Sequence, residues 1–199
     1  MRIVIGEGSC GIAAGAAKVY DALEAQLTPA DHAKLVVTGC NGMCFLEPIV
    51  DVYDGKKLVQ RLVKVKPEDA PAIAEAIRTG DYTGVEKLRI SEEDQSFQDK
   101  QTRIVLRNCG VIDPTSIDAY LEVDGYKAIE KVLTTMTPEQ VIEEIKVSGL
   151  AGLGGAGFPT WFKWNAARSA KGEKKYLICN ADEGDPGAFM DRAVIESDP

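Results

Sequence analysis

The first 80 residues alternate between the apolar spacing of strands and that of helices, and this order restricts the folds open to the chain. Residues 2–5 (RIVI) are a short β-branched apolar run, which predicts a buried strand. Residues 12–27 then repeat apolar side chains at helical spacing, which predicts an amphipathic helix. Further strands are predicted over 34–38, 49–53 and 57–63, with a hairpin turn at 54–55, and a second helix over 67–78. This order predicts an α/β fold in which residues 1–82 form a small thioredoxin-like layer.

The sequence changes character after residue 82. Residues 83–115 are polar and show no sustained apolar period, so they are predicted to be a linker with a short strand and turn over 103–114. Residues 116–199 are predicted to form a further region with several helices. Thr137-Pro138-Glu139-Gln140 has the form of a capping box and starts a helix that runs to about residue 147. A helix from 159 or 160 to about 170 and a strand over 175–179 are predicted to follow.

Charge and hydropathy exclude two classes of partner. The chain of 199 residues carries a formal net charge of −8, and its basic residues are scattered, so nucleic acid is not an expected partner. No segment approaches the roughly 20 apolar residues of a membrane span, so direct insertion into a membrane is not expected. The N-terminal apolar run is too short for a signal peptide, which predicts a cytoplasmic protein.

Three of the five cysteines follow predicted strands. Cys10 comes after the first strand, and Cys40 and Cys44 come after the second, so all three are expected to converge at one end of the sheet. Disulfides are rare in cytosolic proteins, so the group predicts metal or redox chemistry, or else small buried side chains. Cys109 and Cys179 lie on or beside predicted strands and are expected to be core residues.

Residues 152–164 (GLGGAGFPTWFKW) place four glycines within six residues, directly before a predicted helix. Glycines allow a close approach of the backbone to a ligand, and N–H groups at a helix start attract phosphate. Lys163 lies one turn into that helix and would add a positive charge. The sequence alone leaves two interpretations open, a phosphate-binding loop or a tight connection between two helices.

Three acidic residues, Asp182, Glu183 and Asp185, crowd together after the strand predicted over 175–179. Ligands in α/β folds commonly sit beyond the carboxyl ends of strands. The carboxylates could bind a metal, accept hydrogen bonds from hydroxyl groups or hold ring N–H groups. A solvated acidic turn is the alternative interpretation.

Together the two segments GLGGAGFPTWFKW and KYLICNADEGDPGAFMDR closely resemble the FMN-binding segment of the flavoprotein subunit of NADH dehydrogenases. This is the 51-kDa subunit of respiratory complex I, with relatives in NAD-linked hydrogenases and formate dehydrogenases. The upstream segments RIVLRNCGVIDP and MTPEQVIEEIKVSGL extend the resemblance to about residues 103–199. Residues 1–82 resemble the thioredoxin-like [2Fe–2S] domain fused ahead of this subunit in hydrogenase-type members. The resemblance therefore implies that residues 116–199 begin an FMN- and NAD-binding α/β domain.

The resemblance also implies roles for individual residues. The phosphate of FMN would lie in the glycine loop, with Lys163 against the flavin, and Asn180, Asp182 and Glu183 would hold the ribityl chain and the ring. Phe158 and Asp185 match positions near NADH, and Cys10, Cys40 and Cys44 match ligands of the [2Fe–2S] cluster. The loop glycines are Gly152, Gly154, Gly155 and Gly157. The implied reaction is hydride transfer from NADH to FMN, followed by single-electron transfer to iron–sulfur clusters in a complex with other subunits.

The sequence departs from the family pattern at several positions. Ala151 and Leu153 replace two arginines of the glycine loop, and Trp161 replaces a glycine, either narrowing the nicotinamide pocket or stacking on a ring. The cluster's first cysteine is absent, so Glu7 or Ser9 would have to supply a fourth ligand, or the cluster has been lost. The family's [4Fe–4S] site and the rest of its flavin fold would lie beyond residue 199. We therefore expect a fragment, the product of a split gene or a deliberately shortened chain.

Three functions remain open at this stage. The first is part of an NADH:acceptor oxidoreductase subunit that uses FMN and NAD(H). The second is a cluster-free thioredoxin-like scaffold that docks a partner subunit. The third is a [2Fe–2S] electron carrier without flavin chemistry.

Overall fold

The computed structural model describes residues 1–153 and 155–199. Within these residues the chain divides into two compact units, one of residues 1–120 with 181–199 and one of residues 121–180. The domain boundaries predicted at 82 and 115 stay a prediction.

The first unit is built on a four-stranded sheet. Its strands are β1 (Arg2–Gly6), β2 (Lys34–Thr38), β3 (Val50–Asp54) and β4 (Lys57–Leu62), in the order β2-β1-β3-β4. Strand β1 is parallel to β2 and antiparallel to β3, and β3 is antiparallel to β4. This order and these directions are those of a thioredoxin-like sheet, so the predicted fold of the N-terminal region is confirmed.

The described residues outside the sheet include nine α-helices. They are α1 (Ser9–Ala14), α2 (Ala16–Gln26), α3 (Ala70–Thr79), α4 (Glu92–Asp99), α5 (Ile117–Glu122), α6 (Lys127–Thr135), α7 (Pro138–Ser148), α8 (Thr160–Ser169) and α9 (Met190–Ser197). Short 3₁₀ helices span Pro29–Asp31, Cys44–Leu46, Pro67–Asp69 and Thr83–Leu88. The single helix predicted over 12–27 is two helices, because Gly15 adopts a left-handed φ of +100° between α1 and α2.

The core of the first unit lies between one face of the sheet and the helices α2 and α3. Ile3 and Ile5 alternate with Val4 along β1, so they share one face, and they pack with Val19 of α2 and Ile73 of α3. All four of these packed side chains are fully buried. Burying each such side chain stabilises the fold by about 1.5–3 kcal/mol, so this layer fixes the position of the strand ends.

The opposite face of the sheet carries a polar pair and an irregular segment. Asp51 and Arg61 are cross-strand neighbours on β3 and β4 and form a buried ion pair of 2.6 Å. The Thr38 hydroxyl donates a 2.7 Å hydrogen bond to the carbonyl of Ile112, which ties residues 103–112 to the end of β2. That segment consists of bends and turns, so the short strand predicted there is wrong.

Further elements differ from the sequence-based expectation or were not predicted. The predicted linker contains the 3₁₀ helix Thr83–Leu88 and helix α4, whose N-cap is Ser91. Residues 175–179 form no strand, because a strand needs a hydrogen-bonded neighbour and none of β1 to β4 pairs with them. Helix α9 was not predicted at all.

The second unit consists of helices and loops. Helix α7 packs along α8, and Arg168 of α8 forms an ion pair of 2.5 Å with Glu139 of α7. The capping box predicted at the start of α7 is confirmed, with Thr137 and Gln140 each accepting the other's backbone N–H. Among the described residues of 121–180, no hydrophobic side chain is buried. No helix within the described ranges is both long enough and apolar enough to cross a membrane.

Candidate functional site

Cys10, Cys40 and Cys44 converge, as the strand order predicts. Cys10 lies in α1 just after β1, and Cys40 and Cys44 lie after β2. Because β1 and β2 are parallel neighbours, all three cysteines lie at the same end of the sheet. Their Sγ atoms all lie within 4.8 Å of one another, and the Cys40 and Cys44 sulfurs are 3.5 Å apart. Cys44 is exposed and the other two are half-buried, so the group is reachable from solvent.

The loop between Cys40 and Cys44 is shaped by its own backbone. Gly42 has a left-handed φ of +93°, and its N–H donates a 3.2 Å hydrogen bond to the sulfur of Cys40. The Asn41 side chain accepts a 3.0 Å hydrogen bond from the N–H of Met43. Arg103 holds the loop from outside, because its guanidinium donates to the carbonyls of Asn41 and Cys109. These hydrogen bonds therefore hold the loop in the conformation that brings Cys40 and Cys44 together.

Helix α9 lies beside the three cysteines. Glu196 accepts a 3.1 Å hydrogen bond from the backbone N–H of Ser9 and a second bond from the Ser9 hydroxyl. Arg192 donates a 2.8 Å hydrogen bond to Glu196. Burial opposes the effect, but the hydrogen bonds from Ser9 and Arg192 lower the pKa of Glu196 to about 2. Glu196 therefore stays ionised and holds α9 to the residue next to Cys10.

A cavity of about 820 Å³ opens between these elements, lined by the three cysteines, residues 101–109 and residues 187–196. Burial raises the pKa of the Cys40 thiol strongly and also raises the pKa of Cys10. Both effects favour the neutral thiol in the free protein. A metal ion bound here would replace these protons, because the thiolate is the form that binds metals.

The three thiols lie close enough together to bind a metal ion or a cluster, but they are one short of the four ligands that iron–sulfur clusters normally take. Among the described residues, no His, Asp or Glu side chain joins the group at this spacing. Glu7 is therefore not a member, and the Ser9 hydroxyl is already hydrogen-bonded to Glu196. A fourth ligand would have to come from outside this set.

The predicted phosphate loop lies in the second unit. The N–H of Gly152 donates a 2.9 Å hydrogen bond to the carbonyl of Phe158. The N–H of Thr160 donates a 3.0 Å hydrogen bond to the carbonyl of Leu150. These bonds close the loop directly before α8. Gly155 and Gly157 have left-handed φ values of +94° and +59°, which favour glycine. Gly154, the fourth predicted glycine, lies outside the described residues.

Lys163 lies beside this loop. Its Nζ atom is 5.4 Å from the centroid of the Phe158 ring, so the cation stands over the residue that closes the loop. Trp161, which replaces the family's glycine, lies under Lys146 of α7 at 5.5 Å and packs edge-on against Phe162. The loop, the N-terminus of α8 and Lys163 are thus on one short segment.

The acidic segment is divided between the two units. Asn180 ends the second unit, whereas Asp182, Glu183 and Asp185 belong to the first. Glu183 has a φ of +48°, and its two carboxylate oxygens accept hydrogen bonds of 2.7 and 3.1 Å from the N–H groups of Asp191 and Arg192. In this structure Glu183 therefore caps the first turn of α9, a contact that sequence analysis did not predict.

The C-terminal segment matches a known protein family. Residues 145–199 match the Nuo51 FMN-binding domain, and these residues contain both predicted FMN-binding segments. The HndC subunit of the NADP-reducing hydrogenase of Solidesulfovibrio fructosivorans is 60% identical over 100 residues, which are 50% of this chain and 20% of that protein. Over the matched residues, this chain is similar to NADH dehydrogenase and hydrogenase subunits. The family resemblance predicted from the sequence is confirmed.

Two other relatives give the same result. One is a subunit of the NADH-quinone oxidoreductase of Rhizobium meliloti, which is 48% identical over 96 residues, covering 48% of this chain and 23% of that protein. The other is a subunit of the NADH-quinone oxidoreductase of Aquifex aeolicus, which is 54% identical over 84 residues, covering 42% and 19%. The chain spans about a fifth of the length of these curated relatives.

Solved structures show a weaker likeness. A thioredoxin-like [2Fe–2S] ferredoxin from Aquifex aeolicus has a TM-score of 0.40 at 25% identity, with 45% of this chain and 89% of that chain covered. An NAD⁺-reducing [NiFe]-hydrogenase in the air-oxidised state has a TM-score of 0.35 at 24% identity, with 97% and 32% covered. The fold assignment rests on the strand order and directions.

Sequence analysis missed the residues that surround the cysteines. The Arg192–Glu196 pair has the i, i+4 spacing of a helix ion pair, so the sequence did carry that signal. The contact of Glu196 with Ser9 joins residues 187 positions apart, and no local pattern predicts it. Cys109 is buried, as predicted, whereas Cys179 is exposed, so its assignment to the core is wrong.

Proposed function

We propose that this chain is part of an NADH:acceptor oxidoreductase subunit and that its glycine loop binds the phosphate of FMN. The observation that carries the proposal is the pair of hydrogen bonds from Gly152 to Phe158 and from Thr160 to Leu150, directly before α8, with Lys163 beside Phe158. The loop lies inside the segment that matches the FMN-binding domain. The division into residues 1–82, 83–115 and 116–199 and the cytoplasmic location belong to the same proposal.

The loop has room for a ligand. A Cβ atom placed on Gly155 or Gly157 would meet no other heavy atom within 4 Å, so the loop faces open space at both positions. The loop precedes α8, which spans ten residues. The backbone N–H groups of its first turn carry the positive end of the helix dipole, which favours a phosphate there.

Lys163 supplies the positive charge at this site. The arginines that flank the loop in the family are Ala151 and Leu153 here, and Leu153 is 91% exposed. Charge on this segment therefore comes from the α8 dipole and Lys163. We expect the loss of Lys163 to weaken phosphate binding more than it would in a loop that kept its arginines.

When bound, FMN accepts a hydride from NADH and passes electrons on singly to iron–sulfur clusters. The chain's own residues position the cofactors. We assign Gly152, Gly154, Gly155 and Gly157 to the phosphate. We assign Asn180, Asp182 and Glu183 to the ribityl chain and flavin, and Phe158 and Asp185 to the NADH side. Other subunits of an electron-transfer complex are the proposed partners, because the relatives are themselves named as subunits.

The phosphate assignment is tested by comparing FMN with riboflavin, which lacks the phosphate. We expect FMN to bind the purified chain more tightly, with quenching of flavin fluorescence as the readout. The variant Lys163→Ala should raise the Kd for FMN about tenfold and raise the Kd for riboflavin by a smaller factor, because only FMN loses the contact between the lysine and a phosphate. Lys171→Ala, an exposed lysine after α8, is the matched control and should bind FMN like the unaltered protein.

Equal binding of FMN and riboflavin, or an unchanged Kd for FMN in the Lys163→Ala variant, would contradict the phosphate assignment. The reaction is tested separately in the complex purified with its partner subunits. Anaerobic addition of NADH should bleach the absorbance of the oxidised flavin. Persistence of that absorbance in a flavin-loaded complex would contradict hydride transfer at this site.

A further inference from the structure

The sulfurs of Cys10, Cys40 and Cys44 lie close enough together to reach a single metal ion. A tetrahedral ion about 2.3 Å from each sulfur places its sulfur ligands about 3.8 Å apart. The Cys40 and Cys44 sulfurs are 3.5 Å apart, and all three sulfurs lie within 4.8 Å of one another. In a two-iron cluster the protein ligands are shared between two irons, and sulfurs on different irons are further apart than sulfurs on one iron. The mutual closeness of all three thiols therefore favours one ion.

The set of donor atoms favours the same occupant. It contains three thiols and, among the residues that the structure describes, no His, Asp or Glu within the same spacing. Soft thiolates in tetrahedral geometry select Zn²⁺ or iron–sulfur clusters, and a cluster normally takes four protein ligands. Zinc sites with three protein ligands and one water are common.

We propose that Cys10, Cys40 and Cys44 bind one tetrahedral thiophilic divalent ion of the Zn²⁺ class, with water as its fourth ligand. The cavity of about 820 Å³ beside the cysteines gives that water access to the ion. This site goes beyond the proposed flavin function and does not depend on it.

The surroundings of the three sulfurs suit this occupant. The N–H of Gly42 donates to the Cys40 sulfur at 3.2 Å, which stabilises a thiolate and orients it. Three thiolates and a divalent ion together carry one negative charge. Arg192 lines the same cavity as Cys10 and Cys44, so its guanidinium would partly offset that charge. Arg192 is itself held by Glu196, which anchors α9 to Ser9.

The test uses the full chain, purified anaerobically, reduced and freed of metal. Zn²⁺ is titrated in competition with a chromophoric chelator, and Co²⁺ is titrated while the visible and near-ultraviolet spectrum is recorded. We expect one ion per chain. We also expect thiolate-to-cobalt charge-transfer bands and the strong visible bands of tetrahedral Co²⁺.

The exposed Cys44 gives the cleanest variant, because Cys44→Ser changes one atom at a solvent-facing position. We expect it to weaken Zn²⁺ binding at least about tenfold and to reduce the charge-transfer absorbance. Cys10→Ser and Cys40→Ser should do the same, with far-ultraviolet circular dichroism as the check on folding. Cys179→Ser, also exposed but outside the group, is the matched control and should bind like the unaltered protein.

Two results would overturn the proposal. The first is reconstitution with ferrous iron and sulfide that yields two irons and two sulfides per chain, since a binuclear cluster would then be the occupant. The second is Zn²⁺ binding that is absent, or that is unchanged in all three serine variants of the cysteine group.

Discussion

At the scale of single residues, Glu47 couples stability to pH. Its side chain is 8% exposed and accepts a 2.8 Å hydrogen bond from the N–H of Ile49. Its carboxylate also faces Gly6, where a Cβ would approach one oxygen to 2.8 Å. Burial raises the pKa of Glu47 from 4.5 to about 7. The folded protein therefore holds this proton more tightly than the unfolded chain does.

We predict that this group stabilises the fold fully below about pH 4.5 and that its contribution is lost as the pH rises through 7. The loss amounts to about 3 kcal/mol in the free energy of unfolding. The variant Glu47→Gln keeps a hydrogen-bond acceptor and cannot ionise, so it should remove this part of the pH dependence. Urea unfolding between pH 4.5 and 8 measures the pH dependence of the free energy of unfolding. Glu24→Gln, at an exposed position, is the control. Parallel pH profiles for Glu47→Gln and the unaltered protein would contradict this prediction.

The Asp51–Arg61 pair gives a second prediction at this scale. The two side chains are 5% and 12% exposed, and two hydrogen bonds of 2.6 and 2.7 Å join them. Removing one partner leaves an unpaired buried charge, so Asp51→Ala should lower the free energy of unfolding by about 3–5 kcal/mol. The double variant Asp51→Leu with Arg61→Met should recover much of that loss. If the double variant were no more stable than Asp51→Ala, the loss would not come from the unpaired arginine.

The sequence predicts the pairing of Asp51 with Arg61 but not the burial of Glu47. Asp51 follows a buried valine within a predicted strand, and Arg61 lies in the next strand, so their pairing follows once the hairpin register is known. The burial of Glu47 depends on its approach to Gly6 and Gly11, which come from a different strand and helix. The pattern of apolar and polar residues within 40–50 therefore cannot predict that contact.

At the scale of elements, local signals account for the helices that were predicted well. The α7 capping box is encoded within four residues and Gly149 follows the last turn, so both ends of the helix could be predicted to within one residue. Helix α9 has no side-chain cap of its own at its N-cap, Phe189, and Glu183 caps it from outside. The strand predicted over 175–179 is absent because an apolar run alone does not supply the neighbouring strand with which its backbone would form hydrogen bonds.

Helix α9 packs against the end of β2 through a close approach of Ser197 to Gly39. Ser197 is fully buried, and a Cβ atom on Gly39 would lie 2.5 Å from the Ser197 Cα. We predict that Gly39→Ala displaces α9 while leaving the sheet intact. Amide hydrogen exchange in residues 190–197 should accelerate, and exchange in β1 and β3 should stay unchanged.

The control for this experiment is Gly84→Ala. A Cβ on Gly84 meets no heavy atom within 4 Å, and its φ is not in the left-handed region. The Gly84→Ala variant should therefore leave α9 protected. Unchanged exchange in α9 of the Gly39→Ala variant would show that this contact does not hold the helix.

At the scale of the whole molecule, the two units differ in how much apolar surface they bury. The first unit has a continuous core of fully buried side chains from β1, β3, α2 and α3. The described residues of 121–180 bury no hydrophobic side chain, and Tyr176, Leu177 and Ile178 are 83%, 100% and 82% exposed. Helices gain most of their stability from tertiary packing, so the two units should not be equally stable.

We predict that hydrogen exchange of the whole chain separates the units by rate. Amides of β1 and β3 should exchange only through global unfolding, whereas amides of α7 and α8 should exchange through local opening with a much smaller free energy. Mass spectrometry of peptides from both units in one sample measures this difference under identical conditions. Addition of FMN should slow exchange in residues 150–164 if the glycine loop binds it, because a ligand that binds only the folded form stabilises that form. Equal protection of α7, α8 and β1 in the free chain would mean that the second unit is stabilised by something other than buried apolar side chains.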